Sequence, residues 1–273
     1  MIGGQGTSKG TALVTGASRG IGLELARLLA ADGYDLMVVA REGQALERMA
    51  GELRAAHGVA IRCYVTDLSR AGAARELWTD LEAAHVQMDV LANNAGFGLY
   101  GPLAEQDPDT IAGMLELNVA TLTTLTRLAL PGMLERRHGR ILNLASLAAY
   151  QPGGPWMAAY YASKSYVLSF SKALALELRH TGVSVTALCP GPTRTAFESR
   201  SGAGNTPLYQ GAKMEAAAVA LAGYRAMKRG AAVVIPGRMA KLLAFAGELP
   251  PRRVALEVNR LLLRSRVTAA ATR

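Results

Sequence analysis

Thr15-Gly16-Ala17-Ser18-Arg19-Gly20-Ile21-Gly22 is the stretch that decides how this chain is read. The residues leading into it, Ala12–Thr15, form a short β-type run, and from about Gly20 the apolar residues recur at helical spacing, so the glycines occupy a strand-to-helix turn. Glycine lets such a turn's backbone approach a pyrophosphate closely. The helix that follows presents unpaired N–H groups and the positive end of its dipole to the same point. An ordinary turn also uses glycine, and it is the strand before and the helix after that make this a candidate dinucleotide-binding loop. Its spacing, Gly-x-x-x-Gly-x-Gly, departs from the more general G-x-G-x-x-G.

Working outward, six further strands are predicted at Asp35–Ala40, Ala60–Val65, Val90–Asn93, Arg140–Ala145, Ser184–Leu188 and Ala232–Ile235, alternating with segments of helical period. Several are apolar on both faces, as the strands of a parallel sheet covered on both sides must be. The expected fold is α/β: a single doubly wound Rossmann-like domain with a seven-stranded parallel sheet and helices on both faces. Residues 1–10 read as a flexible tail, 11–240 as the body with a substrate loop at about 195–215, and 241–273 as a helical extension of the same domain. Gly202-Ala203-Gly204-Asn205 marks the clearest loop of the second half, followed by a helical stretch from about Leu208 to Met227.

Composition agrees with one large domain: 273 residues, half of them hydrophobic, suffice for a sizeable core. Cys63 and Cys189 are the only cysteines and lack the spacing of a disulfide framework or zinc site, which suits a reducing cytoplasm. The opening Met1-Ile2-Gly3-Gly4-Gln5-Gly6 has no apolar signal-peptide core, and no run is long enough to span a bilayer. A formal net charge of +9 raises the question of nucleic acid. The basic residues are scattered, apart from Arg252-Arg253, Arg260, Arg264 and Arg266, and no nucleic-acid module is present, so a nucleic-acid partner is not expected. A positive field also steers anionic small molecules.

Tyr160 and Lys164 are four residues apart and share one helical face, with Ser146 upstream at the end of the fifth strand. A free phenol titrates near about pH 10, and a neighbouring ammonium is expected to lower that value and make the phenol usable as an acid or base. Tyr161 has Ser165 four residues on, and Tyr166 has Phe170, so of these three neighbouring tyrosines Tyr160 alone gains a lysine at this spacing. Ser146 lies at the carboxyl edge of the sheet, where open α/β folds bind ligands. It can hydrogen-bond a substrate carbonyl or cap a turn.

Taken together, Thr15 to Gly22, Asn93-Asn94-Ala95-Gly96, Asn118, Ser146, Tyr160 with Lys164, and Pro190-Gly191 resemble the short-chain dehydrogenases/reductases over about residues 10 to 240. The resemblance implies a catalytic set of Asn118, Ser146, Tyr160 and Lys164, a nicotinamide cofactor, and hydride transfer to or from a carbonyl carbon. It implies further that Gly16, Ser18, Arg19, Gly20, Ile21 and Gly22 hold the cofactor, that Asn93, Ala95 and Gly96 approach its adenosine side, and that Lys164 holds the nicotinamide ribose. Pro190, Gly191, Thr193 and Thr195 are implied to flank the nicotinamide. For Asn118 the resemblance suggests a water relay from Lys164, against the plainer reading of a buried structural hydrogen bond. Asp67 can accept from the adenine amino group or cap the next helix. A homodimer or homotetramer is implied, through the helices bearing Asn118 and Tyr160.

Cofactor choice is read from charge at the end of the second strand, where a carboxylate binds a ribose 2′-hydroxyl and arginine suits a phosphate. The position reads Ala40-Arg41, no acid is expected to compete there, and Arg19 can approach from the glycine loop, so NADP(H) is expected. Candidate substrate walls are Phe97, Leu99, Tyr100, Trp156, Met157 and residues 197–209, mostly apolar or aromatic and suited to a hydrophobic ketone, aldehyde or acyl chain. The terminal segment, with Leu249-Pro250-Pro251-Arg252 and then Leu256, Leu261, Leu262 and Leu263 among arginines, is amphipathic. Packing on the body or a partner subunit is expected over a membrane surface. The expected protein is therefore an NADPH-dependent carbonyl reductase, with a cofactor-binding regulator and a membrane-peripheral lipid-pathway reductase as alternatives.

Overall fold

The computed structural model describes residues 8–248 and 251–264. In chain order, β1 (Thr11–Thr15), α1 (Gly20–Ala31), β2 (Asp35–Ala40), α2 (Gly43–His57), β3 (Ile61–Val65) and α3 (Ala73–Ala83) make the first half, ending at β4 (Met88–Asn93). The second half runs α4 (Pro108–Leu115), α5 (Leu122–Glu135), β5 (Gly139–Leu144), α6 (Ala158–Glu177) and β6 (Val183–Leu188). Four short pieces follow, β7 (Thr193–Arg194), α7 (Phe197–Ser201), α8 (Pro207–Gln210) and β8 (Met214–Glu215), then α9 (Ala216–Lys228), β9 (Val233–Val234), α10 (Arg238–Glu248) and α11 (Arg252–Leu263).

Seven strands form one parallel sheet in the order β3-β2-β1-β4-β5-β6-β9. Side chains alternate across each strand, so Ala12 and Val14 of β1 face one core layer and Leu13 the other. The first layer adds Leu25 and Leu29 of α1, Leu46 and Met49 of α2, and Val219 and Met227 of α9. The second adds Leu77 of α3, Leu125 and Met133 of α5, and Leu174 of α6. Burial on both faces explains why the strands read as apolar runs without alternation. The chain reverses its direction of winding between β1 and β4, and the cleft beyond the carboxyl ends of those two strands is the switch point where such sheets bind ligands.

Most strand boundaries fall within a residue or two of the expected ones. The helix expected over 208–227 is instead two pieces. Gly211 is extended, and residues 214–215 pair in parallel with 193–194, with the Met214 N–H donating to the Pro192 carbonyl at 3.0 Å. That small ladder ties the end of the 195–215 loop to the segment after β6. The helix through Asn118 also departs from a plain α-helix, since residues Glu116–Thr121 form a π turn.

The described part of the terminal segment packs on the body. On α10, Ala240, Ala244 and Gly247 face the short turn at Leu147–Tyr150, and a Cβ on Gly247 would lie 2.5 Å from the Tyr150 carbonyl oxygen. On α11, Asn259 donates to the Gly153 carbonyl at 2.7 Å and the Leu263 carbonyl accepts from the Tyr100 hydroxyl at 2.6 Å. Among the described residues no helix is long and apolar enough to cross a membrane. The first seven residues of the expected tail, Leu249 and Pro250, and Arg266 lie outside the described residues.

Candidate functional site

A cavity of about 490 Å³ runs along the carboxyl ends of β1 to β6, from Arg41 and Asp67 at one end to α10 and α11 at the other. Gly16 and Gly20 take positive φ values of 68° and 57°, the left-handed conformation that glycine adopts without steric cost. Gly16, Ser18, Arg19, Gly20 and Ile21 all line the cavity, whereas Gly22 does not. Its reason for being glycine is packing: a Cβ there would stand 2.3 Å from both the Gly16 carbonyl oxygen and the Asn94 side-chain nitrogen. Gly22 thus belongs to the loop's construction rather than to its ligand surface.

Thr15 fixes the ends of β1 and β4 together. Its hydroxyl accepts from the backbone N–H groups of Asn94 and Ala95, each at 3.0 Å, and the Asn94 side chain donates back to the Thr15 carbonyl at 2.8 Å. Ala95 and Gly96 then line the cavity, and Asn94 joins them. Asn93 does not. Its side chain is buried on the other side of β4, donating to Thr126 Oγ1 at 3.0 Å and Asn143 Oδ1 at 2.9 Å, so strand alternation turns it into the core and Asn94 is the asparagine that reaches the cavity. Pro190, Gly191, Thr193 and Thr195 close the opposite wall. A Cβ on Gly20 would be 3.1 Å from the Thr195 methyl, so this segment seats directly on the glycine loop.

At the far end, Arg19, Arg41 and Asp67 line the cavity, and two groups missing from the sequence reading join them, one of them the acid that was not expected there. Glu42, the residue after Arg41, forms ion pairs with Arg19 and with Arg200 of α7, the latter at 2.8 Å. Arg41 approaches Asp67 at 3.8 Å. Burial, with the positive charges of Arg200 and Arg41, holds the Arg19 guanidinium below its ordinary range. Burial would raise the Asp67 carboxyl, yet two hydrogen bonds from Ser69, at 3.0 Å and 2.6 Å, and the nearby arginines hold it low. Asp67 therefore both caps its turn and faces the cavity.

At the reacting end, Ser146, Tyr160 and Lys164 all reach the cavity wall. Ser146 ends the strand segment and its Oγ accepts from the Ala148 N–H at 3.1 Å, capping the turn and leaving its own O–H to donate on the cavity side, where Tyr160 lies. Tyr160 and Lys164 share a face of α6, with the ammonium 6.0 Å from the phenol ring centroid. The expected lowering of the phenol is not what this arrangement produces. Burial pushes Tyr160 up to about 12, opposed only by its hydrogen bond with Ser146. Lys164 is buried too; desolvation brings it down to about 8, and its ammonium donates to the Leu144 carbonyl at 2.8 Å. Both groups thus favour their neutral forms near neutrality more than their free counterparts do.

Asn118 is buried in the π turn and does not line the cavity. Its amide donates to the Phe97 carbonyl at 2.9 Å and to Ser163 Oγ at 3.1 Å, and its carbonyl accepts from the Phe97 N–H at 3.2 Å. These bonds fasten the loop after β4 to α6. A Cβ on Gly96 would lie 2.9 Å from Asn118 Oδ1 and 3.4 Å from the Lys164 amine, so glycine at 96 is what lets the three segments meet.

Of the expected walls, Phe97, Phe197, Leu208 and Tyr209 line the cavity, whereas Leu99, Tyr100, Trp156 and Met157 stand behind it in the apolar cluster that supports it. Phe197 packs on Tyr160 with ring centroids 5.3 Å apart. The largest omission is the roof: Leu243 of α10 and Val254, Val258, Asn259 and Leu262 of α11 complete the apolar end. An amphipathic pattern marked these as helices, but nothing in it said which face meets a cavity. Among the described residues no cluster of side chains could hold a metal ion.

Residues 10–206 match the short chain dehydrogenase family. A short chain dehydrogenase of Pseudocercospora fijiensis is 36% identical over 205 residues, 74% of this chain and 66% of that protein. The ketoacyl reductase HetN of a Nostoc species is 37% identical over 183 residues, 66% of this chain and 62% of that protein, so the matched part spans just under two thirds of each of these relatives. A short-chain dehydrogenase from Sphingobium yanoikuyae, solved in complex with NADPH, superposes with a TM-score of 0.78 at 32% identity, over 87% of this chain and 92% of that one. The glycine loop, the Ser146, Tyr160 and Lys164 wall and a sequence match over more than half its length agree: the chain belongs to the short chain dehydrogenase family.

Proposed function

We propose that the protein is an NADP(H)-dependent oxidoreductase that reduces the carbonyl, or oxidises the alcohol, of a hydrophobic small molecule or acyl thioester. The observation that carries the reading is one continuous cavity with a glycine loop, three arginines at its far end, and Ser146, Tyr160 and Lys164 on its near wall. The residues fit a dinucleotide, because the positive-φ glycines and the Gly22 position where a Cβ would clash form a backbone cradle rather than a side-chain surface. A bound nicotinamide supplies or accepts the hydride. Gly16 to Ile21 would hold the pyrophosphate, Asp67 and Ala95 the adenosine, and Thr193 and Thr195 the nicotinamide side. A ketoacyl reductase relative and an NADPH complex among the structural neighbours support the same substrate class and cofactor.

In this reading Ser146 donates its hydroxyl to the substrate oxygen and Tyr160 hands over its proton as negative charge develops there. A phenol held near 12 stays protonated at working pH, which suits a donor. An alkoxide is a stronger base than a phenolate, so the transfer runs downhill. Lys164, as an ammonium, stabilises the phenolate left behind. Asn118 acts at one remove, by holding Phe97 and Ser163 in place. The apolar wall of Phe97, Tyr161, Leu208 and Tyr209, with the roof of α10 and α11, accommodates a hydrophobic chain.

Titration of nicotinamide fluorescence tests the cofactor assignment. Arg19, Arg41 and Arg200 outnumber Glu42 and Asp67 three to two at the ribose end, and a charged hydrogen bond contributes about 1.5 to 3 kcal/mol. NADPH is therefore expected to bind roughly ten- to a hundredfold more tightly than NADH, and Arg41→Ala to narrow the gap. Equal affinities would reject NADP(H) preference. A carbonyl panel assayed by NADPH oxidation tests the activity itself.

The state of Lys164 gives a pH signature. Its pKa is lowered to about 8, so it is cationic below that pH and neutral above it. Reductive kcat/KM should be level below about 8 and fall about tenfold per unit above it as the ammonium is lost. A profile still flat at pH 9.5 would remove the lysine's charge from the mechanism.

A further inference from the structure

Helix α7 is a single short turn that touches both ends of the cavity. Phe197 packs against the Tyr160 ring with centroids 5.3 Å apart and planes tilted by 47°, and Arg200, three residues on, reaches the Glu42 carboxylate at 2.8 Å. The same carboxylate holds Arg19 from the glycine loop. Two guanidiniums from segments 180 residues apart thus converge on one anion, beside Arg41, at the strand end where a dinucleotide's ribose hydroxyls belong. Arg200 lies in the loop expected to cover substrate, and that loop is otherwise secured by the Lys213 and Glu198 ion pair and by the Tyr100 N–H, which donates to the Ser201 carbonyl at 2.9 Å.

We infer that Arg200 is a positioning residue through which the substrate loop reads the cofactor's 2′-phosphate, so that Phe197 is held on Tyr160 most firmly with the phosphorylated dinucleotide bound. The inference rests on the NADP(H) reading above. A phosphate carries up to two negative charges and three acceptor oxygens, more than a carboxylate offers, and arginine pairs with it in a bidentate fork. It takes Arg19 and Arg200 over from Glu42. The exchange draws α7 toward the cleft, because among the ion pairs of the described residues that of Arg200 alone links α7 to that end. Without the phosphate, Glu42 supplies a weaker, half-exposed tether. The loop thus distinguishes the two dinucleotides at a point far from the reacting atoms.

The test compares wild type with Arg200→Gln, Arg200→Lys and Glu42→Gln, measuring Kd for NADPH and for NADH by fluorescence, and chymotryptic cleavage after Phe197 and Tyr209 with each cofactor saturating. Arg200→Gln is expected to weaken NADPH binding about tenfold and leave NADH unchanged, which also shows that the variant is folded. Arg200→Lys should recover part of the loss, and Glu42→Gln should tighten NADPH a few-fold by removing the competing carboxylate. In wild type NADPH should slow cleavage of the loop more than NADH does, and Arg200→Gln should erase that difference. Equal loss for both cofactors, or equal protection by both in wild type, overturns the coupling. If wild type binds both cofactors alike, the NADP(H) reading itself fails; if wild type prefers NADPH and Arg200→Gln keeps the full preference, only the role of Arg200 fails.

Discussion

Tyr160→Phe is expected to lower kcat for carbonyl reduction by roughly 10²- to 10⁴-fold, the usual contribution of a positioned general acid, while Kd for NADPH changes little. The substitution deletes one oxygen. The ring keeps its partners, Phe197 at 5.3 Å and Tyr161 at 6.2 Å, so packing around the site persists and the change isolates the proton. No neighbouring phenol can substitute: burial pushes Tyr161 up further and it has Ser165 four residues on, while Tyr209, also raised well above its ordinary value by burial, is separated from Lys213 by the extended Gly211, and that ammonium pairs with Glu198. Turnover unaffected by the substitution, measured with any carbonyl the wild type accepts, would falsify the assigned proton donor. Loss of turnover together with loss of NADPH binding would instead assign Tyr160 to cofactor placement.

Gly22→Ala is expected to weaken dinucleotide binding by at least about tenfold and to destabilise the fold by about 1 to 3 kcal/mol, the usual cost of overpacking, although the new side chain touches no ligand. Its Cβ would collide with the Gly16 carbonyl and the Asn94 side chain, at 2.3 Å from each. Either α1 withdraws from the loop, carrying its N-terminal N–H groups away from the cofactor, or Asn94 gives up its bond to Thr15. Both damage the cradle. Gly51→Ala in α2 is the control, because a Cβ there meets nothing within 4 Å and alanine gains up to about 1 kcal/mol of helix propensity. Thermal unfolding and cofactor titration on the two variants separate a packing effect from a general cost of replacing glycine. Equal behaviour of the two would show that the Gly22 contact is unimportant.

Much of this was legible in the sequence, for identifiable reasons. Strands buried on both faces announce themselves as apolar runs, and the glycine loop, Ser146, Tyr160 and Lys164 each lie at a fixed distance from a strand end or from one another. What local pattern could not supply was the third dimension. Asn93 and Asn94 are adjacent and chemically alike, and only the pleat of β4 sends the first into the core and the second to the loop. Leu99, Tyr100, Trp156 and Met157 have the composition of a substrate wall and serve as its backing. The 208–227 stretch keeps helical period through Gly211, yet pairing between 193–194 and 214–215 breaks it. The π turn at Asn118 has no signature in residue type. Glu42 was in plain view beside Arg41, and its importance emerges only with Arg200 from the other half of the chain. The effect of burial on Tyr160 and Lys164 was hidden for the same reason: spacing reveals a neighbour, not the dielectric around it.

The roof of the cavity comes from α10 and α11, which follow every strand of the sheet in chain order. During synthesis the nucleotide-binding floor is therefore complete while the compartment for the apolar end of the substrate still lacks its ceiling. Evolution can lengthen, shorten or resurface that ceiling without renegotiating any pairing in the sheet, which makes the tail of the chain the natural place for one scaffold to diversify its clientele.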